Sequence, residues 1–122
     1  MKAAEIATAA TYRQRVALRT GRSMELVDVR EVDWITADGN YVVLHLRGGR
    51  HRVRGSISAL ESELDPQVFV RLHRSTIVNA RRIVRLELVS TSDRIAILAN
   101  GTRLPVGRSF RGRLEPLLAG LI

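Results

Sequence analysis

The sequence predicts a mainly β domain built of short antiparallel sheets, with one capped helix in mid-chain and a second short helix near the C-terminal end. Three observations predict it. Apolar and polar residues alternate in short runs, most clearly over Tyr41 to Arg47, where Val42, Leu44 and Leu46 share one side and Tyr41, Val43, His45 and Arg47 the other. Turn signals separate the runs at close intervals, at Thr20-Gly21-Arg22-Ser23, Asp38-Gly39-Asn40, Gly48-Gly49 and Asn100-Gly101. The period lengthens to that of a helix only at Ser56–Leu64 and Phe110–Leu118.

Taken in order, residues 1–13 are small and polar and read as a linker outside the fold, with the domain at 14–118 and a tail at 119–122. Val16 and Leu18 alternate within a first strand at Gln14–Arg19. Met24–Val32 leaves a short helical turn and an irregular strand both open. Val32–Ala37 and Tyr41–Arg47 are strands joined by a tight turn at Asp38-Gly39-Asn40, and Gly48-Gly49 turns the chain into a strand at Arg50–Arg54. Ile57, Leu60 and Leu64 then fall on one helical face. Ser58 and Glu61 have the spacing of a capping box, and Asp65-Pro66 ends the helix. Phe69–Asn79 runs apolar, presents His73, Arg74 and Ser75 side by side, and returns to apolar Ile77 and Val78. Arg82–Val89 and Arg94–Ala99 are strands either side of a Ser90–Asp93 loop. Asn100-Gly101 predicts a type I′ turn with positive φ at both residues, and Thr102–Val106 returns as a strand. Phe110, Leu114 and Leu117 are spaced for the last helix.

A chain of 122 residues suits one domain with an ordinary core, and 45% hydrophobic content excludes global disorder. The net charge of +8 predicts a polyanionic partner. Lys2 is the sole lysine, so the other 19 basic residues are arginines, whose forks grip phosphate and guanine bidentately. The excess is uneven. Residues 1–68 carry 10 basic and 9 acidic side chains, whereas residues 69–122 carry 10 basic and 3 acidic. Cysteine is absent, which suits a reducing cytosol, and no apolar run approaches the roughly 18 residues of a membrane span. A cytoplasmic location is expected.

Catalytic motifs are missing: there is no G-x-S-x-G, phosphate-binding glycine loop or H-E-x-x-H, so no enzyme and no cofactor are expected. His45 and His51 can meet across a Gly48-Gly49 hairpin, but no carboxylate completes a metal set, and solvent-side strand positions explain them better. Glu61, Glu63 and Asp65 read as a solvated acidic face. What remains is a set of polar tips on apolar strands: Asp38-Gly39-Asn40, His73-Arg74-Ser75 and Gly107-Arg108-Ser109, with Arg111 after the last. Aligned along one edge, they make a row of donors able to enter a major groove, with Arg81, Arg82, Arg85 and Arg113 available for phosphates.

These segments carry a family resemblance. I-T-A-D-G-N-Y-V at 35–42, S-I-S-A-L-E-S-E-L at 56–64, F-V-R-L-H-R-S-T-I-V-N at 69–79 and L-P-V-G-R-S-F-R-G-R-L at 104–114 occur in an order and spacing that resemble the LytTR DNA-binding domain of bacterial transcriptional regulators. The likeness runs from about Arg15 to Leu117. It implies an elongated arrangement of antiparallel sheets that contacts double-stranded DNA through loops and not a recognition helix. It implies binding at promoter direct repeats by tandem or dimeric protomers, and a receiver or sensor domain in a longer parent protein. Carried over by position, the three contact loops are Asp38, Gly39 and Asn40, then His73, Arg74 and Ser75, then Gly107, Arg108 and Ser109. By their side-chain chemistry, Asn40, His73, Arg74, Ser75 and Arg108 are expected at bases. Asp38, Gly39, Arg81, Arg82, Arg85, Ser109, Arg111 and Arg113 are expected at the DNA backbone, and Asn79 as a loop brace. Gly107 departs from the family's usual serine. The alternatives are an RNA-binding or a protein-interaction β domain. Five scattered aromatics, Tyr12, Trp34, Tyr41, Phe69 and Phe110, are a poor basis for the stacking face that RNA needs.

Overall fold

The computed structural model describes residues 12–119. Ten strands and two helices follow the predicted order: β1 Arg15–Thr20, β2 Ser23–Asp28, β3 Val32–Asp38, β4 Tyr41–Leu46, β5 Gly49–Arg54, α1 Ile57–Glu63, β6 Phe69–His73, β7 Thr76–Asn79, β8 Ile83–Leu88, β9 Arg94–Leu98, β10 Arg103–Val106 and α2 Arg111–Ala119. All pairings are antiparallel. They form a central sheet of order β5-β4-β3-β7-β6, a three-stranded sheet of order β10-β9-β8 and the β1-β2 ribbon.

Alternation along the central strands feeds two cores. Ile35, Val42, Leu44, Phe69 and Ile77 pack with Val16, Leu18 and Val27 of the ribbon and Ile57 and Leu64 around α1. Val70, Leu72 and Val78 face the other way, onto Ala96, Leu98, Leu104 and Val106 of the three-stranded sheet and Leu114 of α2. Consecutive residues such as Phe69 and Val70, or Ile77 and Val78, are thus both buried, in different cores, so strict alternation is lost there. The β4–β5 end of that second face lies beyond this core. It presents Tyr41, Val43 and His45 beside their register partners Arg54, Arg52 and Arg50. His45 stacks on Trp34 at 4.1 Å and meets Thr36 Oγ1 at 3.0 Å through Nε2. Burial, aided by the nearby Arg50 charge, pushes its imidazole below the ordinary histidine pKa.

Local details depart from the sequence reading. The open Met24–Val32 segment is a strand followed by a 3-10 turn at Val29–Glu31, capped by Asp28, which accepts from the Arg30 N–H. The paired Arg30 guanidinium and that backbone bond hold the Asp28 carboxyl at a pKa of about 2. The N-cap of α1 is Ser56, accepting from the Ala59 N–H at 3.0 Å; Ser58 lies inside the helix. The β4–β5 turn is Arg47-Gly48, because Leu46 pairs with Gly49. In the β9–β10 turn only Gly101 takes positive φ, at 90°, so the turn is not type I′. Arg13, assigned to the linker, belongs to the fold: its N–H donates to the Glu63 carbonyl at 2.7 Å and its guanidinium pairs with Glu63 at 2.6 Å. Residues 1–11 of the expected linker lie outside the described residues, as do residues 120–122 of the tail. His45 and His51 do not meet across the hairpin, since His51 pairs with Leu44 and so faces the opposite side of the sheet. No group of three metal-ligating side chains occurs among the described residues.

Asn79 is 1% exposed and is fully employed. Its amide donates to the Arg30 and Val32 carbonyls, each at 3.1 Å, and its oxygen accepts the Arg81 N–H at 3.0 Å. It braces the 3-10 turn Ala80–Arg82 and the start of β3, at the end of β7 away from the His73–Ser75 tip. Asn79→Ala removes the side-chain partner of the Val32 carbonyl and of the Arg81 N–H, while the Arg30 carbonyl keeps Arg82, and is expected to cost about 1–3 kcal/mol in denaturant unfolding. An unchanged midpoint would refute the brace.

Candidate nucleic-acid interface

Two main-chain hydrogen bonds fasten the three polar tips together. The central sheet pairs Thr36 of β3 with Thr76 of β7, and the ladder continues past the strand end where the Ala37 N–H donates to the Ser75 carbonyl at 2.9 Å. The Asp38–Asn40 turn therefore rises beside the β6–β7 turn. The Gly107 N–H donates to the Leu72 carbonyl at 2.7 Å, which holds the third tip against the second from the other side. A Cβ at Gly107 would stand 3.2 Å from the Phe110 ring, 3.4 Å from the Leu72 carbonyl oxygen and 3.6 Å from His73 Cδ2. A bare backbone at 107 lets the third tip sit this close.

Each tip is shaped by local chemistry. Gly39 takes a φ of 60° in the first, which an L side chain rarely adopts. Asn40 is exposed, and its carbonyl accepts the Gly55 N–H. In the second tip, Ser75 donates its N–H to His73 Nδ1 at 3.2 Å, with its hydroxyl 3.0 Å from the same nitrogen. In the neutral ring that acceptor role puts the proton on Nε2, leaving a donor there. Arg74 is exposed at the turn, and its guanidinium carries no hydrogen bond or ion pair among the described residues. In the third, Arg108 and Ser109 are exposed, and Arg108 Nε reaches Asp93 Oδ1 at 3.2 Å.

Arg71, which the sequence reading passed over, positions the second tip. It is 8% exposed on edge strand β6. Its Nε donates to the His73 carbonyl at 2.8 Å, Nη2 donates to the Arg74 carbonyl, and Nη1 pairs with Glu61 Oε1 at 2.6 Å. Glu61 Oε2 takes Arg113 at 3.0 Å, so one carboxylate joins α1, β6 and α2. Glu61 and Glu63 are therefore ion-pair partners on a face that stays solvent-accessible.

The arginines expected at phosphates are dispersed. Arg81 and Arg82 follow β7, about 13 Å of strand from the tip. Arg82 pairs with Asp33 at 2.9 Å and donates to the Arg30 carbonyl. Arg85 on β8 pairs with Glu87, whose carboxyl also takes Arg103; these two hydrogen bonds hold it below its usual pKa. Arg111 donates to the Thr91 and Ser92 carbonyls, and Arg113 lies over Phe110. Asp38 pairs with Arg52 at 3.3 Å. Arg52 and Arg54, not singled out from the sequence, converge on the Tyr41 ring beside the first tip, at 4.3 and 5.9 Å from its centroid.

Comparison with known proteins places the chain in a family. A family model described as the LytTr DNA-binding domain matches residues 22–119. The chain is 36% identical over 110 residues to the CO-responsive transcriptional regulator RcoM of Rhodospirillum rubrum, covering 88% of this chain and 46% of that protein. It is 26% identical over 104 residues to the sensory transduction protein LytT of Bacillus subtilis, covering 85% and 43%. The chain thus spans less than half the length of these curated relatives. A solved LytTr DNA-binding domain from Bacillus cereus superposes with a TM-score of 0.78 at 25% identity, covering 87% of this chain and 97% of that one. The match over residues 22–119 and the shared fold establish that the chain belongs to the LytTr DNA-binding domain family.

Proposed function

We propose that the chain binds double-stranded DNA sequence-specifically and regulates transcription in the bacterial cytoplasm, by inserting its three tips into the major groove at promoter direct repeats. The observation that carries the reading is the fastening of the tips at one end of the central sheet, with Asn40, Arg74 and Arg108 exposed on them. Arg74 and Arg108 are the candidates for bidentate contact with guanine and Asn40 for adenine, with His73 and Ser75 assisting. The Gly39 and Ser109 positions are suited to the DNA backbone at the tip flanks. Two protomers act in tandem on the repeat, and the input comes from a receiver or sensor domain of a longer parent protein.

RNA binding through stacking is disfavoured by how the aromatics are used. Trp34 is covered by His45, Phe69 is buried, and Tyr41 and Phe110 lie under arginines. Selecting bound duplexes from a random pool tests the reading directly. Enrichment of a direct repeat is expected; recovery of no motif would overturn it.

The pair between Arg108 and Asp93 bears on affinity. Both side chains are at least half exposed, so it is a weak tie that DNA can displace. Asp93→Asn is expected to raise affinity for the selected duplex by about 2–5-fold, corresponding to the modest value of an exposed ion pair. Weaker binding would mean that Asp93 orients Arg108 and does not compete for it.

A further inference from the structure

We propose that Arg52 and Arg54 of edge strand β5 form a phosphate-gripping strip flanking the first tip, with Arg50 too far along the strand to take part. This rests on the reading that the tips enter the major groove, and it adds residues that the sequence pattern did not single out.

Three observations carry it. The first is placement. Arg54, Arg52 and Arg50 pair across the ladder with Tyr41, Val43 and His45, so all three lie on one face, the part of the sheet not covered by the second core. All three are exposed. The second is crowding. Two guanidinium groups converge on one tyrosine ring, and the carboxylate paired there is that of Asp38, at 3.3 Å from Arg52. The cluster keeps a net positive charge held in place by the ring, a local surplus that favours an anion.

The third is depth. The major groove is about 8.5 Å deep, so the phosphate ridges stand roughly that far back from the base edges. Counted from Asn40 at the tip, Arg54 lies level with Tyr41, about 3.4 Å back, Arg52 level with Val43, about 10 Å back, and Arg50 level with His45, about 17 Å back. With the first tip on the groove floor, the ridge level falls between Arg54 and Arg52, within a side chain's reach of both, whereas Arg50 starts about 8 Å behind it.

The test is the salt dependence of binding to a mixed-sequence duplex, read by fluorescence anisotropy for the wild type and for Arg50→Gln, Arg52→Gln, Arg54→Gln and the Arg52→Gln/Arg54→Gln double variant. Each lost phosphate contact is expected to make the slope of log K against log salt shallower by about 0.9, and the double variant by about 1.8. Arg50→Gln is expected to leave the slope at the wild-type value. Asp38→Asn in the Arg52→Gln background removes the carboxylate that Arg52 had neutralised, and the slope loss is expected to persist there. Unchanged slopes in Arg52→Gln and Arg54→Gln, with the wild type still binding, would overturn the strip and leave the three-tip reading standing. An equal loss in all three single variants would also overturn it, by showing that net charge and not position matters. A wild type that binds no duplex would overturn both.

Discussion

Arg74→Ala is expected to weaken binding to the selected duplex by about 10–100-fold while changing binding to a scrambled duplex by less than about 3-fold, the discrimination that one bidentate base contact supplies. The ground is its position. It is exposed at the apex of the second tip, with its guanidinium uncommitted. It sits on a turn whose two neighbouring carbonyls are already tied down by Arg71. The tied backbone fixes the point from which the side chain projects. The free guanidinium still gives up rotamer freedom on contact, a cost common to both duplexes, so the difference between the two reports the base contact. Competition binding with both duplexes at one fixed salt concentration decides the matter. Equal losses on the two would reassign Arg74 to phosphate.

Arg71→Met is expected to be the more damaging change. It removes three donors from a nearly buried site, leaves the His73 and Arg74 carbonyls without their charged partner, and frees one oxygen of Glu61. Hydrogen bonds to charged groups contribute about 1.5–3 kcal/mol each, but the carbonyls can turn to water here, so a net loss of about 2–4 kcal/mol in unfolding free energy is expected. Specific binding should fall at least about 10-fold even where the variant is fully folded, because the turn that presents Arg74 is no longer held. Arg71→Lys separates charge from geometry: it keeps the ion pair with Glu61 but lacks the planar fork, and is expected to recover stability more than binding. A folded Arg71→Met variant with wild-type specificity would show that the turn holds its shape without the guanidinium.

The strand order and the three tips were legible because their signals are local. Alternation, Gly-containing turns and a triplet of polar residues between apolar runs are each visible within a few positions. What failed depended on neighbours that sequence does not place. Arg71 is a single charged residue among the apolar residues of β6, with no signal in its neighbours of the role it takes. It is buried because β6 is an edge strand and Glu61 of α1 lies beside that edge. Arg81 and Arg82 were expected at phosphates, yet β7 runs away from the second tip and carries them to its far end. Arg52 and Arg54 were hidden by averaging. The first 68 residues are nearly neutral as a whole, although three arginines at every second position of one strand put their charge on a single face. That spacing was the available signal. The missed helix cap at Ser56 and the shifted β4–β5 turn are displacements of one or two residues, where propensity is weakest.

The two bonds that fasten the tips, Ala37 N–H to Ser75 C=O and Gly107 N–H to Leu72 C=O, run from main chain to main chain. Neither depends on the identity of residues 40, 74 or 108. The spacing of the tips is therefore inherited from the backbone, while their chemistry is set by three exchangeable side chains. On the proposed reading, a frame of this kind is open to re-addressing to a different operator by substitution at the tips alone, without rebuilding the scaffold that delivers them.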